Sequence, residues 1–261
     1  MKRTPVDKIA IPLPAELESL TRGARLYDSS CSPDARVYFI DKDEGYYLKA
    51  AARKSLKIEA EMIDYFYKKG LGAELLYYSS SEIDLMLTSK VRGEDCTHPM
   101  YLEEPERLCD LLAERLRMLH DTDFTGCPVA NRTKDYLALA ASNYEKGVFD
   151  ADLFSDKVTF SSADDAFRLV REGERVLKAD VLLHGDYCLP NIILDGFRFS
   201  GFIDLGCGGV GDRHIDVFWG AWTLWFNLKT DRYSYRFIDA YGRDVISEET
   251  LRIVAAAECF G

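Results

Sequence analysis

The stretch that most constrains this chain is VLLHGDYCLPNIILDGFRFSGFIDLG, residues 181–206. Its apolar runs VLL, NIIL and SGFI have the length and make-up of short strands. Between and after them, however, stand HGDYCLPN and DLG. Asp186, Asn191 and Asp204 carry the oxygen donors that hard cations prefer. A fold that needed only strands here gains nothing from placing such groups beside buried segments, because an unpartnered polar group is costly to bury. The segment therefore reads as a site carried on two short strands joined by turns.

The rest of the chain supplies a setting for it. ARVYFIDKDEGYYLKA (35–50) reads as a hairpin, and ELLYYSSSEIDLMLTSKV (74–91) as a second one. Between them, SLKIEAEMIDYFYKK (55–69) has apolar residues at 58, 62, 65 and 66, a helical stripe opened by a Ser cap and closed by Gly70. The polar break VRGEDCTHPM predicts a boundary, giving an N-terminal lobe over 1–91 and a C-terminal lobe over 92–261. The second lobe is mostly helical, with an amphipathic segment over 103–120, helical signal through 133–146 and about 163–178, and a mostly helical remainder from 213 on. The expected class is α+β: a small β-rich lobe followed by a larger helical one around a short hairpin.

The spacing within the central stretch points to a chemistry. Asn191 follows Asp186 by five positions, as in the H-R-D-x-x-x-x-N loop of protein kinases, and thirteen residues later IDLG stands where those enzymes have D-F-G. Phosphoryl transfer needs a carboxylate near the attacking hydroxyl and Mg²⁺ held by one or two protein oxygens as well as by nucleotide phosphates. Asp186 fits the first role; Asn191 and Asp204 fit the second. His184 reads as a support of the loop backbone and His120 as structural, and likeness to the equivalent helix Asp of kinase-like folds implies that Asp216 anchors the loop. Cys188 has no second thiol at ligand spacing. Only eight positions separate Asp204 from Asp212 and no A-P-E follows, which leaves little room for the peptide platform of a protein kinase. A nucleotide-binding pseudoenzyme is disfavoured, because Lys49, Asp186, Asn191 and Asp204 are all present.

Charge and cysteine usage narrow the partners. The 44 acidic residues outnumber the 33 basic ones, for a net charge of -11, which argues against nucleic acid and anionic membranes and is compatible with a cationic small molecule. The seven cysteines are scattered, odd in number and without a C-x-x-C pair, so a reducing compartment is expected. No uninterrupted apolar leader opens the chain, and the longest mostly apolar run, VFWGAWTLWFNL (217–228), is too short to span a bilayer. A cytoplasmic protein, monomeric or weakly dimeric, is the expectation.

HGDYCLPNIILDGFRFSGFIDLGCGGVGDRHIDV resembles the aminoglycoside 3′-phosphotransferases, the kanamycin and neomycin kinases, and the similarity runs from SPDARVYFI to the closing AECFG. It implies a bilobal protein-kinase-like fold and transfer of phosphate from ATP (or GTP), with Mg²⁺, to a sugar hydroxyl. It further implies that Lys49 in YYLKA pairs the nucleotide phosphates and that a helix Glu orients it. Helical periodicity does not choose between Glu59 and Glu61; the resemblance favours Glu61. By the same resemblance Ser32 lies in the turn over the phosphates, Tyr47 stacks on adenine, and the backbone of Ser89 and Val91 reads the adenine edge.

The substrate side matches less completely. Asp150 and Asp152 match the family's acidic substrate loop, and Glu258 its near-terminal Glu; such carboxylates would pair with the ammonium groups of a cationic aminoglycoside. Several positions depart from the pattern. Cys207 replaces an Arg after I-D-x-G, Ala257 replaces an Asp, and a helix that usually carries an Arg and acids reads AWTLWFN, with Trp222, Thr223 and Phe226 in their places. Trp219, Trp222 and Trp225 would then stack on a sugar or take a more apolar alcohol. Phosphorylation of another hydroxylated small molecule is the alternative that these aromatics motivate.

Overall fold

The computed structural model describes residues 3–150, 152–154 and 158–261. In chain order its elements begin with β1 (Thr4–Val6), α1 (Ala15–Thr21), β2 (Arg25–Asp28), β3 (Ala35–Asp41), β4 (Tyr46–Ala52), α2 (Lys57–Lys68), β5 (Leu75–Ser80), β6 (Ile83–Ser89) and β7 (Glu94–Asp95). There follow α3 (Pro99–Leu102), α4 (Pro105–His120), α5 (Arg132–Glu145), α6 (Ala163–Val176), β8 (Val181–Leu183), β9 (Ile192–Asp195) and β10 (Arg198–Phe202). The chain closes with β11 (Gly209–Gly211), α7 (Arg213–Leu228), α8 (Asp231–Gly242) and α9 (Glu248–Glu258). Two compact units result. One runs to Thr97 and takes in Pro190–Gly206; the other comprises His98–Leu189 and Cys207–Gly261.

The first unit is built on an antiparallel six-stranded sheet in the order β1-β2-β3-β4-β6-β5. Both hairpins expected from sequence are present, β3–β4 and β5–β6. Alternation along β4 sorts its side chains. Leu48 and Ala50 join a core with Leu17, Tyr38, Ile40, Leu85 and Leu87, and Tyr47 and Lys49 take the other face. α2 ends as its sequence predicts: Gly70 is left-handed (φ 71°), and the Gly70 and Leu71 amides donate to the Tyr67 and Phe66 carbonyls, a Schellman closure. Its start differs from expectation. Ser55 does not cap the helix; its hydroxyl donates to the Ala52 carbonyl. The fully buried Asp84 of β6 instead accepts from the Lys54 amide at 2.7 Å and the Leu56 amide at 2.9 Å.

The central stretch divides in a way that its sequence does not announce. β8 pairs with β11, whereas β9 pairs with β10 and with β7. The Phe202 amide donates to the Leu71 carbonyl at 2.8 Å, which fastens β10 to the segment after α2. Residues 190–206 therefore belong with the first unit, so one cut after Val91 does not describe the division. β9 and β10 are joined through Gly196 and Phe197, both at positive φ, the two-residue turn whose twist suits an antiparallel pair.

The second unit is helical around the β8–β11 pair. One core joins α5, α6 and α9 through Leu137, Ala140, Ala166, Val170 and Ala255 with Phe154 and Phe260; another packs Val181 and Leu183 against Ile215 and Val254.

Candidate active site

In the first unit the site is centred on Lys49. Its Nζ lies 2.9 and 2.8 Å from the two carboxylate oxygens of Glu59 and 3.0 Å from Asp204 Oδ1. Burial alone would depress this ammonium, but the Asp204 and Glu59 carboxylates outweigh it and hold Lys49 above its usual range. The expected partner Glu61 is corrected to Glu59. Glu61 is exposed and pairs with Lys57, 3.7 Å away one turn back. The resemblance favours Glu61, and helical periodicity leaves both open; Ile58, one of the apolar residues of the expected stripe, is 42% exposed. The buried stripe is Glu59, Met62, Ile63 and Phe66, the i, i+3, i+4, i+7 set that starts on Glu59 itself.

Asp204 leaves β10 in a left-handed conformation (φ 59°), which Asp tolerates better than most residues. Its side chain is about half exposed (53%). Asn191 comes close along the backbone, since the Ile203 amide donates to the Asn191 carbonyl at 3.0 Å. The pair is a carboxylate and an amide, both hard oxygen donors, brought to adjoining segments with one carboxylate turned outward. This donor set fits Mg²⁺, which takes one or two protein oxygens and completes its shell with water and phosphate. Among the described residues no group of three or more His, Cys, Asp or Glu is arranged to hold a metal, so an all-protein cage is absent there.

The remaining nucleotide-side expectations lie in the same unit. Tyr47 shares a face with Lys49 and packs against Phe39, ring centroids 5.1 Å apart. The Arg3 guanidinium lies 3.7 Å above the Phe39 ring and donates to the Tyr47 hydroxyl at 2.7 Å. Nothing local in the sequence signals that contact. Ser32 sits in the β2–β3 turn, where its hydroxyl donates to Asp34 Oδ2 at 3.1 Å and accepts from the Asp34 amide. The Ser89 amide is committed to the Glu74 carbonyl, and Val91 packs under Gly201.

Asp186 lies in the second unit, on a loop held from beneath. The buried Asp216 of α7 accepts from the His184 amide at 2.8 Å and the Gly185 amide at 2.7 Å. His120 joins Asp216 (3.2 Å) to the Tyr241 hydroxyl (2.8 Å). The Asp186 amide donates to His184 Nδ1 at 3.2 Å, which places the proton of a neutral His184 on Nε2. Gly185 is left-handed (φ 85°), and a Cβ there would fall 1.8 Å from the Cys207 carbonyl oxygen, so only glycine fits. Farther along, the Leu189 amide donates to Thr223 Oγ1 at 3.2 Å, which ties the loop to α7 again. Burial raises the Cys188 thiol, so it stays protonated.

The expected substrate carboxylates are also in this unit. The Asp150 amide donates to the Cys259 carbonyl at 2.8 Å, which joins the acidic loop to the end of α9, and Asp150 Oδ1 accepts from the Asp152 amide. Glu258 Oε1 receives two donors, the Tyr136 hydroxyl at 3.0 Å and the Trp219 indole N–H at 2.9 Å. Burial pushes this carboxyl up to about 7, the two hydrogen bonds oppose the shift, and the charge on Asp186 adds to it. Neither Tyr136 nor the Trp219 N–H stands out in sequence as a partner of Glu258; aromatics at helical spacing read equally as core.

Comparison with known proteins gives the chain its relatives. A family model described as the phosphotransferase enzyme family matches residues 31–253. The chain is 48% identical over 249 residues to a probable aminoglycoside 3′-phosphotransferase of Lactococcus lactis, covering 95% of each protein. It is 30% identical to an aminoglycoside 3′-phosphotransferase of Niallia circulans over 76% of each. Among solved structures, an aminoglycoside 3′-phosphotransferase of type VIII superposes with a TM-score of 0.75 at 25% identity, covering 95% of this chain and 100% of that one. A Streptomyces rimosus aminoglycoside phosphotransferase solved with ADP and streptomycin superposes at 0.71 with 20% identity, covering 86% and 90%. With Lys49 fixed between two carboxylates and Asp186 on a loop anchored by Asp216, the chain belongs to the phosphotransferase enzyme family.

Proposed function

We propose that this protein transfers the γ-phosphate of ATP to the 3′-hydroxyl of an aminoglycoside. The observation that carries the reading is the Lys49 ammonium, held between Glu59 and Asp204 at 2.8–3.0 Å. Two relatives that cover most of the chain, named as aminoglycoside 3′-phosphotransferases, support the choice of acceptor. Lys49, kept charged and fixed by Glu59, binds the nucleotide phosphates, and Tyr47 stacks under the base. Asn191 and Asp204 would hold Mg²⁺, which when bound offsets phosphate charge. Asp186 accepts the proton of the attacking hydroxyl as its oxygen bonds to the γ-phosphorus and the bond from that phosphorus to the ADP oxygen breaks. His184 and Asp216 keep that carboxylate in position.

The test is ADP release by the purified protein with ATP, Mg²⁺ and aminoglycosides, half with a 3′-hydroxyl and half without. Turnover confined to the first half is expected, with a loss of about 10²–10⁴-fold in Asp186→Asn, the range for a general base. Turnover of the 3′-deoxy compounds would refute the regiochemistry. Silence across the panel with intact ATP binding would refute the acceptor and favour another alcohol.

A further inference from the structure

The face of the sheet that carries Lys49 also carries a row of rings, and the N-terminal strand reaches it. Tyr27, Phe39 and Tyr47 stand opposite one another on β2, β3 and β4. Their ring centroids are 6.0 and 5.1 Å apart along the row. β1 alternates like its neighbours: Val6 packs with Leu26 on the core face, and Pro5 stands opposite Tyr27. Arg3, two residues before Pro5, continues that alternation onto the side of the rings.

Its contacts there form a clamp. The guanidinium carbon lies 3.7 Å over the Phe39 ring and 5.7 Å from the Tyr47 ring, and Nη2 donates to the Tyr47 hydroxyl at 2.7 Å. Gly45 backs Phe39 so closely that a Cβ there would lie 2.8 Å from its ring, which leaves Phe39 no room to yield. Burial raises the Tyr47 phenol against the pull of Arg3, so it stays a neutral hydroxyl and accepts the bond without ionising. Arg3 Nε is buried with no hydrogen-bond partner among the described residues. The guanidinium is thus oriented by one ring and one hydroxyl, and its planar fork serves both at once. The same group borders a cavity of about 450 Å³ that Asp41, Asp43 and Glu44 also line, and those carboxylates offset its charge.

Resting on the stacking role proposed for Tyr47, we infer that Arg3 is a positioning residue for the nucleotide: clamped on Phe39, it holds the Tyr47 ring by its hydroxyl in the orientation that stacks on the base. Tyr47 stands two residues from Lys49 on the same face of β4, so the tilt of its ring sets how the base lies once the phosphates are on Lys49. A ring held in advance loses no rotamer freedom on binding, and freeing one such side chain weakens binding by roughly two- to tenfold. The effect of Arg3 passes through Tyr47 and belongs to nucleotide affinity, not to phosphoryl transfer. The N-terminal segment is thereby part of the nucleotide site, although it lies far from the other residues in sequence.

The test measures KM for ATP, kcat and calorimetric Kd for ADP in Arg3→Ala, Arg3→Lys, Tyr47→Phe, Tyr47→Ala and the double variant Arg3→Ala/Tyr47→Phe, with thermal melting alongside. Arg3→Ala should raise KM and Kd about two- to tenfold and keep kcat within about twofold. Arg3→Lys should fall between it and wild type, since an ammonium reaches the hydroxyl but does not lie flat on Phe39. Tyr47→Phe keeps the ring and loses the acceptor, so it should weaken binding by a similar factor, and the double variant should be no weaker than the weaker single one. Tyr47→Ala removes the stack itself and should cost more, about ten- to a hundredfold. Should Arg3→Ala fail to fold, Tyr47→Phe breaks the same hydrogen bond and decides alone. Nucleotide affinity unchanged in Arg3→Ala, a lower melting temperature as its sole effect, or factors that multiply in the double variant would overturn the inference and leave the stacking role of Tyr47 standing. Unchanged ADP affinity in Tyr47→Ala would overturn that role, and the inference with it.

Discussion

Lys49 gains its role from two carboxylates at once, and the effect of losing each differs. Glu59 contacts Nζ with both oxygens and is almost fully buried, whereas Glu61 lies two residues on with half its side chain in water. A charge-assisted hydrogen bond contributes about 1.5–3 kcal/mol, against about 0–1 kcal/mol for an exposed pair. Glu59→Gln should therefore lower kcat/KM for ATP by roughly 10–100-fold, and Glu61→Gln should stay within about twofold, as read by steady-state kinetics with ATP varied. The converse result would return the role to Glu61. Glu258 gives a second prediction. Because its carboxyl titrates at about 7, it is largely neutral below that pH and pairs poorly with an ammonium. Acceptor KM should fall as pH rises from 6 to 8, and Glu258→Gln should remove that inflection while keeping any that belongs to substrate amines. Stability has the opposite sign. The folded carboxyl holds its proton more tightly than the unfolded one, so its contribution is complete below about 4.5 and is lost as pH rises through about 7.

At the scale of an element, α2 presents Glu59 only if its first turn is fixed, and Asp84 fixes it from a neighbouring strand. The carboxylate accepts from two amides ahead of the helix and from the Tyr78 hydroxyl at 3.1 Å. Burial works against its ionised form, but a hydrogen bond from the Ser80 side chain together with these three outweighs it and keeps Asp84 below the usual carboxylate range. Asp84→Ala leaves the buried amides unpaired, at a cost of about 2–3 kcal/mol, which is roughly 4–10 °C in Tm for a chain of this size. Calorimetry should show that drop together with a raised KM for ATP; an unchanged KM would separate the Asp84 anchor from the Lys49 pair. The C-terminal end of α2 was legible in sequence because Gly70 alone supplies the left-handed residue. The start was not, because Asp84 is distant in sequence and Ser55 looked like a sufficient local cap.

At the scale of the molecule, Lys49, Glu59, Asn191 and Asp204, the residues proposed to serve the nucleotide, belong to one compact unit, and Asp186, Asp150, Glu258 and the α7 aromatics to the other. Ligand binding to the first set should register as stability. With nucleotide and Mg²⁺ at a hundredfold excess over Kd, the protein should gain about 2.7 kcal/mol, seen as a higher melting temperature. A chelator should withdraw the metal-dependent part, and Asp204→Asn should never show it; an equal gain with and without Mg²⁺ would remove Asn191 and Asp204 from metal binding. The reaction type was legible in the sequence by itself, because the residue types and spacing of Asp186, Asn191 and Asp204 lie within one short segment that can be read without knowing the fold. So were the hairpins and helices with a strong period. Only the tertiary structure decided that β8 pairs with β11 and β9 with β7, that Glu59 faces Lys49, that Asp84 holds the residues leading into α2, and that Trp219 and Tyr136 hold Glu258. The physical reason is the same in each case. Helical and strand periods fix which residues share a face, but the partner that a face meets is set by packing between segments far apart in the chain, and no local pattern records it.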